Sequence, residues 1–331
     1  MPPLDPWFVG KLACPWDRGV LRLDARFLVC PTCARRFPVI DGIPVLLRDD
    51  VNHPHTSTLD SIAEARGAGE RVVADEPPEP SLAPGEIDPH VQEAISATGG
   101  YLYKPLIGKV KEYPIPEIRL PEGRGRTLLD VGCNWGRWSF AAARRGYEAV
   151  GVDPQLGAVK AARRVATQLG LRVRFVSADA RYLPFVDGTF DTAFSYSVLQ
   201  HLPKEDVAKA LTEIRRVLVP GGETLIQMPN VFGIRCLYHQ ARRGFRAARQ
   251  FEVRYWTPGE LKRRFTELVG PASLSVDGFF SLNPQPAEAH LLPLKFRAVV
   301  AASELLRKAS RIFPPLLWAA DSLYVRARKA A

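Results

Sequence analysis

The chain has 331 residues, enough for one large domain or two modest ones with a substantial core. Hydrophobic residues make up 46% and charged residues 24%, which excludes a wholly disordered or fibrous protein. The net charge of +10 is unevenly placed: residues 1–230 hold 28 Lys+Arg against 28 Asp+Glu, and residues 231–331 hold 17 against 7. A basic field confined to the last third points to a polyanion or an anionic membrane surface as partner. No apolar run approaches the ~20 residues of a spanning helix. The opening MPPLDPWFVGKLACPW lacks a basic segment followed by an apolar one, and so does not read as a secretion signal. Five cysteines, an odd number, argue against a disulfide framework and fit a reducing cytosol, so a cytoplasmic location is expected.

In chain order, residues 1–50 form a small Cys-bearing unit ending in FPVIDGIPVLL. Residues 51–100 contain VVADEPPEPSLAPGEIDP, a Pro/Glu-rich stretch with little to bury, which predicts a tether with at most a short helix. From Tyr101 to the end, short apolar runs bounded by turn residues predict strands at 127–132, 148–153, 172–179, 190–197, 223–229, 273–281 and 321–328. Helices are predicted between them: Trp138 to Arg145 before Gly146, Leu156 to Leu169 before Gly170, and Pro203 to Leu218 before Pro220-Gly221-Gly222. A further helix opens at the capping box Thr257-Pro258-Gly259-Glu260 and runs to Leu268. The alternation predicts an α/β fold with a doubly wound, mostly parallel sheet.

Ligands of such sheets bind at the carboxyl ends of the strands. The first strand of this region runs into Asp130-Val131-Gly132-Cys133-Asn134-Trp135-Gly136. Its glycines let backbone N–H groups approach a ligand at the positive end of the next helix. Asp153 closes the second strand, where a carboxylate can accept both hydroxyls of a ribose. The loop is not G-x-G-x-x-G, because Asn134 stands where that pattern has its second glycine and an acid precedes it. A carboxylate there repels a pyrophosphate and attracts an ammonium, favouring a ligand with an amino-acid moiety at one end and a ribose at the other.

These motifs resemble the class I S-adenosylmethionine-dependent methyltransferases, in particular the branch acting on small molecules and lipids, over residues 101–331. The resemblance implies a seven-stranded Rossmann-like sheet, with Asp130, Gly132, Asn134 and Gly136 at the methionine end of the cofactor. Asp153 matches the ribose-binding acid. Ala178-Asp179-Ala180 matches the adenine position, with the Asp179 carboxylate toward the exocyclic amine and the backbone at Ala180 toward the ring. Leu183-Pro184-Phe185, Phe190-Asp191, Ser197 to Leu202 and Arg216 to Gly222 follow in the family's order, and Ser195 joins the cofactor set. Asn134, commonly Gly in the family, tolerates positive φ.

Methyl transfer from a sulfonium asks mainly for orientation, a dry site and a base where the nucleophile carries a proton. His201 is the candidate base, and the alternative is that it hydrogen-bonds loop backbone. Tyr196 and Gln200 are candidates for the acceptor pocket. The fourth strand ends without an Asn/Asp-Pro-Pro-aromatic motif or a Pro-Cys nucleophile, which weakens two nucleic-acid readings.

Two insertions are expected, at about 231–256 and 284–319. In the first, residues 234–251 count out as one helix with Ile234, Leu237, Tyr238, Ala241, Phe245 and Ala248 on one face. Arg235, His239, Arg242, Arg246 and Arg249 lie opposite. Such a helix suits an anionic membrane surface, or else covers the acceptor pocket. Quinone-type members of the resembling family carry a membrane-associating insertion at this place. The second insertion is apolar and broken by Pro293, Pro314 and Pro315, and with the first it would form a lid for a hydrophobic acceptor or a homodimer interface.

In the N-terminal unit, Cys14-Pro15-Trp16-Asp17 and Cys30-Pro31-Thr32-Cys33 followed by FPVIDGIPVLL resemble the zinc-ribbon-like domain of the tRNA methyltransferase activator family. The resemblance implies a metal set of Cys14, Asp17, Cys30 and Cys33 in a docking or stabilising module. The departure is Asp17 where the family has Cys, so the alternatives are a zinc site and a metal-free module held by its apolar core. The expected organisation is a zinc-ribbon-like domain at 1–50, a linker at 51–100 and a methyltransferase domain at 101–331. The expected activity is S-adenosylmethionine-dependent methyl transfer to a hydrophobic small-molecule or lipid-linked acceptor. RNA methylation is the second reading, and a catalytically silent binding module the third.

Overall fold

The computed structural model of the protein describes residues 4–53, 55–70, 82–83 and 85–331. Near the start, the Asp5 side chain accepts from Trp7 N and caps the single-turn helix α1 (Pro6–Val9). A small antiparallel sheet follows: β1 (Arg22–Asp24), β2 (Phe27–Val29), β3 (Arg36–Ile40) and β4 (Ile43–Pro44). Its inward residues Leu28, Phe37, Val39 and Ile40 are buried.

The segment expected as a tether is different. It holds α2 (Thr56–Glu70) and α3 (Pro89–Gly99), which bury Ile62 and Ala68, and Val91 and Ile95. Weak local propensity is overridden there by apolar side chains that find the main body to pack against. The Pro/Glu-rich run between these helices lies, over residues 71–81, outside the described residues.

The large sheet contains β5 (Thr127–Val131), β6 (Glu148–Asp153), β7 (Val173–Ser177), β8 (Phe190–Ser195), β9 (Leu218–Pro229), β10 (Ala272–Gly278) and β11 (Ser322–Arg328) in the order β10-β11-β9-β8-β5-β6-β7. Neighbours from β7 to β9 pair in parallel, and β11 runs antiparallel between β9 and β10. This is the expected seven-stranded, mostly parallel Rossmann-like methyltransferase fold. The central strands are buried on both faces, as in β5, where Leu128, Leu129 and Val131 have no exposed surface.

Helices α4 (Arg137–Arg144), α5 (Leu156–Gln168), α6 (Lys204–Val217) and α8 (Pro258–Leu268) cover the faces; α7 (Ile234–Arg242), α9 (Leu294–Ala309) and α10 (Leu316–Ala319) belong to the insertions. The buried residues of α6, Val207, Ala210, Leu211, Ile214 and Val217, recur at the three- and four-residue spacing of one helical face. Thr257 Oγ1 accepts from Glu260 N at 3.1 Å, so α8 starts at the predicted cap. The second insertion is tied to the start of α4 by a buried ion pair, in which Arg137 Nη2 donates to both Glu288 oxygens at 2.6 Å. Such a pair adds little net stability but is costly to break, at roughly 3–5 kcal/mol.

The basic helix is half its expected length and leaves both its apolar and its basic residues exposed. α7 ends at Arg242, and Gly244 and Phe245 adopt positive φ of 63° and 53° immediately after it. Its N-terminus is pinned by the Asp321 carboxylate, whose Oδ1 accepts from Arg235 N at 2.6 Å and Cys236 N at 2.8 Å. This turns Cys236 and Gln240 inward and leaves Ile234, Leu237, Tyr238 and Phe245 exposed. Of the two expectations for the apolar stripe, a membrane-facing surface or a cover over the acceptor pocket, the exposure of Ile234, Leu237 and Tyr238 does not fit the cover.

Candidate active site and metal cluster

Three acids stand at the carboxyl ends of three adjacent strands: Asp130 on β5, Asp153 on β6 and Asp179 just past β7. Between the first two lies the predicted loop, with Gly132, Asn134 and Gly136 at φ of 80°, 46° and 87°. A Cβ on Gly132 would come within 2.2 Å of Val198, so the strand-end contact there requires glycine. Asn134 takes the left-handed conformation that its residue type tolerates.

The loop and Asp153 are built as one piece. Asp153 Oδ2 accepts from Asn134 N at 3.0 Å, and Oδ1 accepts from Gln155 N at 2.9 Å. Burial pushes this carboxyl up to about 6. Asp130 is buried, its close partner is the Ser139 hydroxyl (2.7 Å) and not a cation, and burial pushes it up to about 7. Two carboxyls without a Lys or Arg partner at adjacent strand ends are suited to an incoming ammonium and a pair of hydroxyls. On that donor set and loop geometry, the residues fit S-adenosylmethionine.

Asp179 stands at the expected strand end, but its carboxylate is already paired with Arg181. Burial alone would raise its pKa, but His53 and Arg181 beside it bring it down to about 2. Arg181 donates through Nη2 at 2.7 Å and through Nε at 3.1 Å, and its backbone N–H adds a bond of 2.8 Å. The carboxylate set toward an adenine amine is thus already engaged. Ala180 begins the short 3-10 turn Ala180–Tyr182 that Asp179 caps. Ser195 donates its hydroxyl to Val131 O at 2.8 Å and so braces β8 against β5.

His201 lies in the turn Leu199–His201 after β8, and burial holds its imidazole below its ordinary pKa. Its Nδ1 is 2.7 Å from Phe251 O, the loop-backbone contact weighed against the base role. Its Nε2 faces Gln200 Nε2 at 3.2 Å. An Nδ1–H donated to the carbonyl leaves Nε2 as the acceptor, the tautomer a base needs, with the Gln200 amide N–H donating to it. Tyr196 does not open toward an acceptor; its hydroxyl donates to Asp277 Oδ2 at 2.9 Å in a buried network.

Sequence reasoning missed His53, His55, His90, Arg181 and Phe251. His90, near the start of α3, has its Nε2 buried without a hydrogen-bond partner, close to Asn134. Only Arg181, two residues after Asp179, left a local signal. The others reach the site through chain separations that no spacing rule covers.

In the N-terminal unit, ligand atoms of Cys14, Asp17, Cys30 and Cys33 all lie within 4.8 Å of one another. Cys14 Sγ and Cys33 Sγ are 3.7 Å apart, and Cys30 Sγ lies 3.3 Å from Asp17 Oδ1. Two thiolates bonded tetrahedrally to zinc at about 2.3 Å would stand about 3.8 Å apart. The sequence-predicted set is therefore brought together with spacing that fits a structural metal, Asp17 supplying the oxygen.

Residues 128–222 match the family profile described as a methyltransferase domain. An uncharacterized methyltransferase of Mycobacterium sp. (strain JLS) is 43% identical over 98 residues, covering 30% of this chain and 36% of that protein. The demethylmenaquinone methyltransferase of Thermus thermophilus is 39% identical over 106 residues, covering 30% of this chain and 46% of that protein. Among solved structures, a SAM-dependent methyltransferase from Methanosarcina mazei aligns with 19% identity and a TM-score of 0.44, over 64% of this chain and 94% of that one. The chain spans less than half the length of these two curated relatives. Residues 128–222, which carry the Asp130-to-Gly136 loop, Asp153 and Asp179, thus match a methyltransferase domain in sequence.

Proposed function

We propose that this chain is an S-adenosylmethionine-dependent methyltransferase acting on a hydrophobic small-molecule or lipid-linked acceptor at a membrane surface. The observation that carries the cofactor reading is the pair of buried carboxyls, Asp130 and Asp153, flanking a left-handed loop without a cationic partner. When bound, S-adenosylmethionine supplies an electrophilic methyl group on a sulfonium. The chain's part is then to orient and to exclude water: Asp130 toward the ammonium, Asp153 toward the ribose hydroxyls, and buried apolar strand ends around them. His201 Nε2 is the proton acceptor for an acceptor that must lose one.

Calorimetry tests the donor. S-adenosylhomocysteine should bind and NAD should not; tight NAD binding overturns the reading, and binding of neither leaves the fold as a partner-binding module.

The acceptor reading is supported by the surface beside the cleft. Phe232, Ile234, Leu237 and Tyr238 are exposed, and Phe232 meets Trp318 of the second insertion at 5.7 Å, joining the two insertions into one apolar face. Arg235 and Arg242 border it. No described helix is long and apolar enough to cross a membrane, so a surface contact rather than a span suits this face.

For the N-terminal cluster we propose one zinc per chain. Elemental analysis of protein purified without added metal should find it, and Cys30→Ser with Cys33→Ser should lose it and lower the melting temperature. Folded, metal-free wild-type protein would assign the cluster to hydrogen bonding alone.

A further inference from the structure

We propose that the N-terminal module is a working part of the cofactor site: it walls the nucleoside half of the cleft, and cofactor enters and leaves by separation of the His55–Phe251 ring pair. This rests on the S-adenosylmethionine reading above and extends it to residues outside the matched methyltransferase segment.

Beyond β4, Val45 pairs in parallel with Ser177 at the end of β7, and Leu46 N donates to Ser177 O at 2.8 Å. The module is therefore joined to the edge of the large sheet by a single parallel bridge two residues before Asp179. From there the chain passes over the strand ends. Arg181 Nη2 donates to Asn52 O at 2.9 Å, and His53 Nδ1 lies 3.5 Å from Asp179 Oδ2. His53 Nε2 donates to Arg48 O at 2.6 Å, so the imidazole is held from that side with Nδ1 turned toward Asp179. On the far side, Ser61 Oγ of α2 accepts from Leu156 N at 2.9 Å, at the start of the helix that follows Asp153.

Asp179 and Arg181 consequently serve as positioning residues that dock the module. With its oxygens already engaged, the Asp179 carboxylate holds the wall of the adenine subsite.

The outer closure is of another kind. His55 meets the Phe251 ring edge-on at 4.9 Å. Phe251 stacks on His201 at 4.1 Å, and its carbonyl binds His201 Nδ1. Two distant segments, one from the module and one from the first insertion, thus meet beside His201. The inner wall is buried and hydrogen-bonded, whereas Phe251 is half exposed and touches His55 by ring contact alone, so the closure is where the cleft opens most easily.

The experiment is stopped-flow measurement of S-adenosylhomocysteine association and dissociation for wild type, Phe251→Ala and the ring-preserving Phe251→Tyr. Phe251 is exposed enough for both variants to fold, which a melting curve checks. For a gate, Phe251→Ala should raise both rate constants, on the order of fivefold, with little change in Kd, and Phe251→Tyr should restore wild-type rates. A rise in dissociation alone would make Phe251 a plain contact and overturn the gate, as would unchanged rates. Binding of S-adenosylhomocysteine with unaltered variant kinetics sinks only this proposal. Absence of binding in wild type sinks the cofactor reading with it.

Discussion

S-adenosylhomocysteine affinity should fall by about 100-fold or more in Asp153→Ala, the largest effect expected of any single substitution in the cleft. Each charge-assisted hydrogen bond to a ribose hydroxyl is worth about 1.5–3 kcal/mol, and the substitution removes two. It also releases Asn134 N and Gln155 N, which Asp153 holds in place, so the loop loses its brace as well. The same carboxyl sets a pH dependence. With Asp153 at about 6 and Asp130 at about 7 in the cofactor-free protein, the ionised forms that bind are complete only above that range. Affinity should therefore weaken as pH falls through 7 to 6, by up to about tenfold per unit for each group. Asp153→Ala should retain only the Asp130 part. Titration calorimetry between pH 5.5 and 8 (roughly the span over which both groups change charge) checks both. A pH-independent affinity would detach these carboxyls from the ligand.

The second large effect is expected at the apolar face. Wild-type protein should sediment with vesicles containing anionic lipid and far less with neutral ones, and salt should release it. Arg242→Glu with Arg249→Glu should abolish the sedimentation while leaving S-adenosylhomocysteine affinity intact, because both side chains are exposed. Each basic residue near such a surface is worth on the order of 1 kcal/mol, and reversal replaces attraction with repulsion. Arg246 is a poorer probe, because Glu252 already pairs with it at 2.6 and 2.7 Å. Ile234→Gln with Leu237→Gln separates lipid from RNA. Both side chains point outward, so the fold should survive the change. Vesicle binding should drop sharply if these residues enter the lipid boundary, whereas RNA binding would lose little and keep its salt dependence. Wild-type protein that ignores anionic vesicles would remove the membrane from the reading.

The sequence alone settled what depends on local chemistry. Strand and helix order in residues 127–328 follows from apolar runs and turn residues, and parallel pairing follows from their alternation. The Asp130-to-Gly136 loop was legible because few residue types tolerate positive φ, and Asp153 because a strand's end fixes where its last side chain points. The Cys14, Asp17, Cys30 and Cys33 set was legible as two short knuckles. What the tertiary structure decided are the contacts that join distant segments. The direction of α7 is set by Asp321, 85 residues away from Cys236, and no helical count can contain it. The engagement of Asp179 depends on the fold bringing His53 beside Arg181, and the closure beside His201 on bringing His55 to Phe251. Periodicity specifies which residues share a face, but the partner that anchors one end of an element determines which face turns inward.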